Sequence, residues 1–213
     1  MRHPRRVSGV VSVLAALAAC GPSEKQNKAD QSRAESVASE PMSHDLGPFF
    51  HAEMEMKERI MEVEGTDAAD SWLRKMIEHK RGAVELSNIL LQKLPSGPVA
   101  ELARATVDKQ IKEIAELQRL LRNGAPDHQS AFLYLPALAR MHDAMMEAEG
   151  ADLSETWLRK MLEHHKGAVE MANVLLHQNN VPPATRSKAE AARSDQHREI
   201  QMFEHLLREV RTN

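Results

Sequence analysis

The sequence predicts an all-α fold: one four-helix bundle made from two repeated helical units, with two additional short helices. Three observations predict it. The stretch WLRKMIEHKRGAVELSNILL, Trp72 to Leu91, recurs as WLRKMLEHHKGAVEMANVLL, Trp157 to Leu176, displaced by 85 positions. Within each copy the apolar residues alternate at spacings of four and three, which places them on one helix face. The chain also holds only seven aromatics, so its apolar volume comes mainly from Leu, Ala, Val, Ile and Met.

Residues 1–19 read as a sorting signal and stand outside the fold. Arg2, Arg5 and Arg6 precede a short apolar run, Val7 to Ala19, that is too short to span a bilayer. The run ends Leu17-Ala18-Ala19-Cys20, which resembles a bacterial lipobox. Cys20 is the only cysteine, so it fits an acyl anchor and leaves no partner for an intrachain disulfide. The expected location is the bacterial cell envelope, lipid-anchored and facing the periplasm or the outside, with the membrane engaged through the N-terminal lipid. Removing the signal takes away three arginines and no acid, leaving 25 basic against 31 acidic side chains, a net charge of −6. That balance argues against nucleic acid as a partner. Residues 20–47 are polar and read as a tether, reaching about 25–30 Å as a flexible chain. Met42 and His44 lie in it and are weak ligand candidates.

The first helical repeat is placed at 48–124 and the second at 131–213. Each comprises a short helix, a long helix carrying the repeated motif, and a further long helix. The motif stripes are Trp72, Met76, His79, Ala83, Leu86, Leu90 and Trp157, Met161, His164, Ala168, Met171, Leu175. Gly82 and Gly167 interrupt these helices at a cost of about 1 kcal/mol relative to alanine, for which close helix approach is a physical reason. The third helices match as Gln110-Ile111-Lys112-Glu113-Ile114 and Gln196-His197-Arg198-Glu199-Ile200. Breaks at Pro95-Ser96-Gly97-Pro98, Asn123-Gly124-Ala125-Pro126 and Pro182-Pro183 separate the elements, and Asn123 to Ser130 reads as the link between copies. Neither copy has an obvious full core alone, so the two hairpins are expected to pack as one bundle about an approximate twofold axis.

The chemistry-bearing residues concentrate in the second copy. His142 shares a helix face with Met145 and Met146. Met161 stands three and four residues before His164 and His165, Met171 follows on the same helix, and His197 comes from the third helix. Thioether and imidazole ligands without thiols favour Cu(I), with Ag(I) as its heavier analogue; Zn(II) on the histidines alone would leave the methionines unexplained. The competing assignment is ordinary packing, since a methionine on a helix seam usually fills core space. His128, His177 and His205 read as solvent-facing, and Glu163 and Glu170 as solvated charges.

The first copy acts as an internal control. Lys57 stands where the second copy has His142, Lys80 where it has His165, and Ile111 where it has His197. Ammonium groups repel a cation, so an equivalent second site is not expected, and replacing His79 is expected to have little effect on metal binding. His51, Met54 and Met56 form a small cluster with at most auxiliary binding.

The pattern Met141-His142-x-x-Met145-Met146, then Trp157-x3-Met161-x2-His164-His165-x-Gly167-Ala168-x2-Met171-Ala172, then Gln196-x2-Glu199-Ile200, resembles the family catalogued as domain of unknown function 305 (DUF 305). The resemblance covers nearly all of the second copy and, more weakly, the first. It implies a ferritin-like helical fold, export, and metal binding through His142, Met145, Met161, His164, His165, Met171 and His197, as some members bind copper in the periplasm. It implies no reaction.

The function expected from these readings is an envelope-anchored metal-binding protein that sequesters or carries Cu(I), with an envelope copper-handling protein as its partner. The alternatives are a metal-free helical interaction module and a ferritin-like iron protein. A di-iron bundle uses Glu-x-x-His pairs, and no glutamate here stands three residues before a histidine. No nucleophile–base pair, phosphate loop or nicotinamide fingerprint is evident, so no enzymatic activity is expected.

Overall fold

The structure, a computed structural model, describes residues 46–210. The expected signal segment, Cys20 and nearly all of the tether lie outside the described residues. Among the described residues there are seven helices and no strand: α1 (Phe50–Glu62), α2 (Ala68–Lys93), α3 (Pro98–Gln118), α4 (His128–Phe132), α5 (Leu135–Glu147), α6 (Leu153–Leu176) and α7 (Pro183–Val210). None of these helices is long and apolar enough to cross a membrane. Six follow the expected plan. The seventh, the single turn α4, begins inside the segment read as a link and runs into the start of the second repeat. Asp127 starts it by accepting hydrogen bonds from the backbone N–H groups of Gln129 at 3.1 Å and Ser130 at 3.4 Å, a side-chain cap of the usual kind.

The two halves build their motif helices by the same device. Asp67 caps α2 by accepting from Asp70 N at 2.9 Å, and Asp152 caps α6 by accepting from Glu155 N at 2.9 Å. One turn further in, Ser71 Oγ accepts from Gly65 N at 2.9 Å and Thr156 Oγ1 accepts from Gly150 N at 3.0 Å. Each bond folds the preceding loop back over the helix start, and a side chain at Gly150 would lie 2.6 Å from Thr156 N.

α2 pairs with α3, and α6 with α7; the two hairpins then meet along α2 and α6. α1 lies on α2, α5 lies on α6, and the two short helices touch each other. The described residues form one compact unit, so the repeats share a bundle rather than standing as independent domains. All twelve stripe residues, from Trp72 to Leu90 and from Trp157 to Leu175, are buried. Each large apolar member contributes roughly 1.5–3 kcal/mol of transfer free energy.

Two buried lysines fasten the short helices. Lys75 Nζ donates to the carbonyls of Ile60 at 2.8 Å and Val63 at 3.0 Å, closing the C-terminus of α1. Lys160, its equivalent, donates to Met145 O at 2.9 Å at the end of α5 and pairs with Glu53 at 3.0 Å across the repeat boundary. A cation at these helix ends complements the unsatisfied carbonyls. Burial pulls Lys75 down to about 8.

The glycines inside the motif helices mark where the short helices come closest. A Cβ at Gly82 would overlap the thioether of Met56 from α1, and one at Gly167 would overlap Met141 from α5. The close approach expected beside the histidines is therefore present, and methionine is what approaches.

Candidate metal centre

The expected ligands stand on three helices of the second repeat. α6 supplies Met161, His164, His165 and Met171, all buried; α5 supplies buried His142 and Met145 and half-buried Met146; α7 supplies His197, which is exposed. The structure does not draw these eight into one cluster. Their histidines separate: His164 pairs with His79, His165 joins a charged site beside that pair, His142 stands at a cavity between the short helices, and His197 is exposed.

The central pair joins the repeats. His79 of α2 and His164 of α6 stack with ring centroids 3.5 Å apart at an interplanar angle of 30°. Nε2 of His79 lies 3.0 Å from the carbonyl of His164, and Nε2 of His164 lies 3.0 Å from the carbonyl of His79. A carbonyl only accepts, so both rings carry their proton on Nε2 and leave Nδ1 with a bare lone pair. Both Nδ1 atoms are buried without a partner. Burial, and then the charge of His165 beside it, pushes His164 down to about 3. Burial, with His164 and Lys80 nearby, lowers His79 in the same direction. Both are neutral imidazoles. The equal status of His79 was not read from its sequence, because the changed residue beside it, Lys80, drew the eye; the signal was the 85-residue spacing itself.

His165 is arranged differently. Its Nδ1 lies 2.6 Å from Met161 O and its Nε2 lies 3.0 Å from Glu199 of α7. Both partners are acceptors. Phe203 meets the ring edge-on at 5.0 Å. Glu199 also takes Lys109 Nζ from α3 at 2.5 Å. Although burial raises it, these two cationic partners pull Glu199 down to about 2. The first repeat has the same construction: Lys80 Nζ bonds Glu113 at 2.5 Å and Gln110 at 3.1 Å, and Glu113 and Gln110 are the counterparts of Glu199 and Gln196. Lys80 thus holds the His165 position against an equivalent carboxylate, and both His165 nitrogens already lie against protein oxygens.

His142 stands at the wall of a cavity of about 150 Å³ between α1 and α5, together with Met56, Met61 and Met141. The residue is 6% exposed, and its Nδ1 is buried without a partner. Burial lowers its pKa, Lys57 adds to that, and Asp143 opposes it. Met56 and Met61 are first-repeat residues that spacing alone did not bring to His142. Met145, expected to share its face, is fully buried but does not line the cavity.

Among the described residues, no group of three or more His, Cys, Asp or Glu side chains converges as a cage for an ion. The buried polar atoms without a partner include three imidazole Nδ1 atoms, of His79, His142 and His164, beside the indole N–H groups of Trp72 and Trp157 and Gln196 Oε1, and methionines line the cavity at His142.

No curated protein and no solved structure matches the chain. A family profile described as a domain of unknown function (DUF305) matches residues 16–121 and again 128–207, one match to each helical repeat. The chain belongs to the DUF305 family, as two tandem copies of its helical unit.

Proposed function

We propose that the protein is an envelope-anchored binder of Cu(I), sequestering or carrying the ion through imidazole and thioether ligands. The observation that carries this reading is the set of buried, unpartnered Nδ1 atoms on His79, His142 and His164. A buried polar atom without a partner costs free energy comparable to a lost hydrogen bond. Neutral imidazole beside thioether is a soft donor set, suited to a monovalent d10 ion. Anchoring through a lipid on Cys20, and a copper-handling partner in the envelope, extend the same reading from the sequence. Copper is cargo here, and no reaction is assigned to it.

A metal-free helical module is the second reading, favoured by the saturation of His165 at both nitrogens. An anaerobic Cu(I) titration against a competing chromophoric chelator separates the two. Uptake of one or a few ions that persists in excess Zn(II) supports copper handling. No competition with the chelator returns the histidines to packing.

A further inference from the structure

We infer that the cavity between α1 and α5 is a soft-metal site completed across the repeats, with His142 and Met141 from the second copy and Met56 and Met61 from the first. This rests on the copper reading above and adds to it the ligands and their origin. Each copy alone looks insufficient. The first has thioethers but carries Lys57 at the imidazole position; the second has the imidazole but leaves Met145 outside the cavity.

The fold assembles the set for a plain reason. Met56 and Met141 are equivalent positions, each laid over the glycine of its own motif helix, Gly82 and Gly167. The contact between α1 and α5 brings these two equivalents to the walls of one cavity. Lys57 and His142 are also equivalents lining it. Identical residues there would make two like half-sites; the lysine-for-histidine difference leaves one imidazole and so one ion. Lys57 and Asp143 are both exposed and both line the cavity, so the carboxylate offsets the ammonium there. Neutral ligands in a largely apolar enclosure disfavour divalent ions, whose desolvation is costlier and which want carboxylate or water oxygens. They suit a monovalent ion that accepts few ligands. Met61 is 45% exposed, so one thioether reaches both solvent and cavity, giving the ion a route in by ligand exchange.

The test is Ag(I) titration of the full chain, comparing His142→Gln, Met61→Leu and Met54→Leu. Met61→Leu and Met54→Leu keep volume at half-exposed positions of α1, and only Met61 lines the cavity, so loss of folding does not confound them. Losing a direct ligand is expected to weaken binding by at least the roughly 10–100-fold that losing an outer partner costs. H142Q and M61L should both weaken Ag(I) binding, and M54L should not. Wild-type binding unchanged in H142Q and M61L would overturn this site and leave the copper reading standing. Loss in H142Q with none in M61L would overturn the cross-repeat assembly. A wild-type chain that takes up no Ag(I) would overturn both.

Discussion

His79 and His164 hold each other's backbone: each imidazole donates from Nε2 to the other's carbonyl at 3.0 Å, with the rings stacked between. The two carbonyls belong to helix interiors, so each ring adds a bond to a group already engaged in its helix. The pair is one of the points at which the two copies meet, beside the Lys160–Glu53 and Lys109–Glu199 bridges.

Replacing either histidine of the pair should therefore weaken the fold to a similar degree. His79→Ala and His164→Ala each remove a buried ring and one hydrogen bond, at about 2–4 kcal/mol. Because the rings stack directly, the double variant should cost less than the sum of the singles. Urea denaturation of the four-member cycle checks this; a His79→Ala cost below about 0.5 kcal/mol would mean the reciprocal bonds do not form.

Acid should weaken the metal-free protein. The folded pKa of His164 lies near 3, below the ordinary 6.5, and His79 is lowered too. The unfolded chain then binds protons that the folded chain refuses. Stability from this source is complete above about pH 6.5 and falls as pH drops toward 3, by about 1.4 kcal/mol per unit for each histidine. Glu199, held near 2, loses its contribution in the same direction below about 4.5. Thermal melts in chelator-containing buffer from pH 7 to pH 4 should show a falling midpoint, with a shallower fall in His164→Asn.

His165→Lys should be well tolerated, because Lys80 already occupies the equivalent place against Glu113. The variant should stay within about 1 kcal/mol of wild type. Glu199→Leu should cost about 3 kcal/mol by removing the carboxylate that His165 and Lys109 share. Chemical denaturation of both variants decides it; a His165→Lys protein as damaged as Glu199→Leu would mean that the imidazole serves a purpose other than meeting the carboxylate.

Alanine at the two motif glycines should reverse the usual helix preference. Gly→Ala in a helix ordinarily stabilises by about 1 kcal/mol, but here the new methyl group meets methionine. At Gly82 the Cβ of Met56 would be 3.2 Å away, and at Gly167 that of Met141 would be 2.7 Å away. A thioether end can swing aside and a Cβ cannot, so Gly167→Ala should be the more damaging, by about 1–3 kcal/mol. Combining Gly82→Ala with Met56→Ala should recover part of the loss. Melting temperatures of the three variants test the order.

The helices, their breaks and the shared core were legible because periodicity, proline and repeat spacing all act locally. The turn α4 was missed because a single Asp127 cap carries no periodic signal. The site was harder to read. Aligning the copies showed Lys80 against His165 as a ligand lost, whereas the carboxylates facing them on α3 and α7 make it a carboxylate contact retained. Likewise, Lys57 against His142 hid the fact that Met56 and Met61 line the same cavity as the second copy's imidazole. Both differences depend on what stands across a helix interface, which linear spacing within one helix does not contain.

The linking segment also bears on how the chain can be cut. Gly124 and Ala125 are exposed, while the interlocking imidazoles and the Lys160–Glu53 bridge come from opposite sides of that point. A chain severed there keeps every contact that joins the halves. The two fragments, expressed separately, should reconstitute as a heterodimer on mixing, visible as recovered helicity and co-elution, and each half alone should pair with a second copy of itself less well than with its sibling.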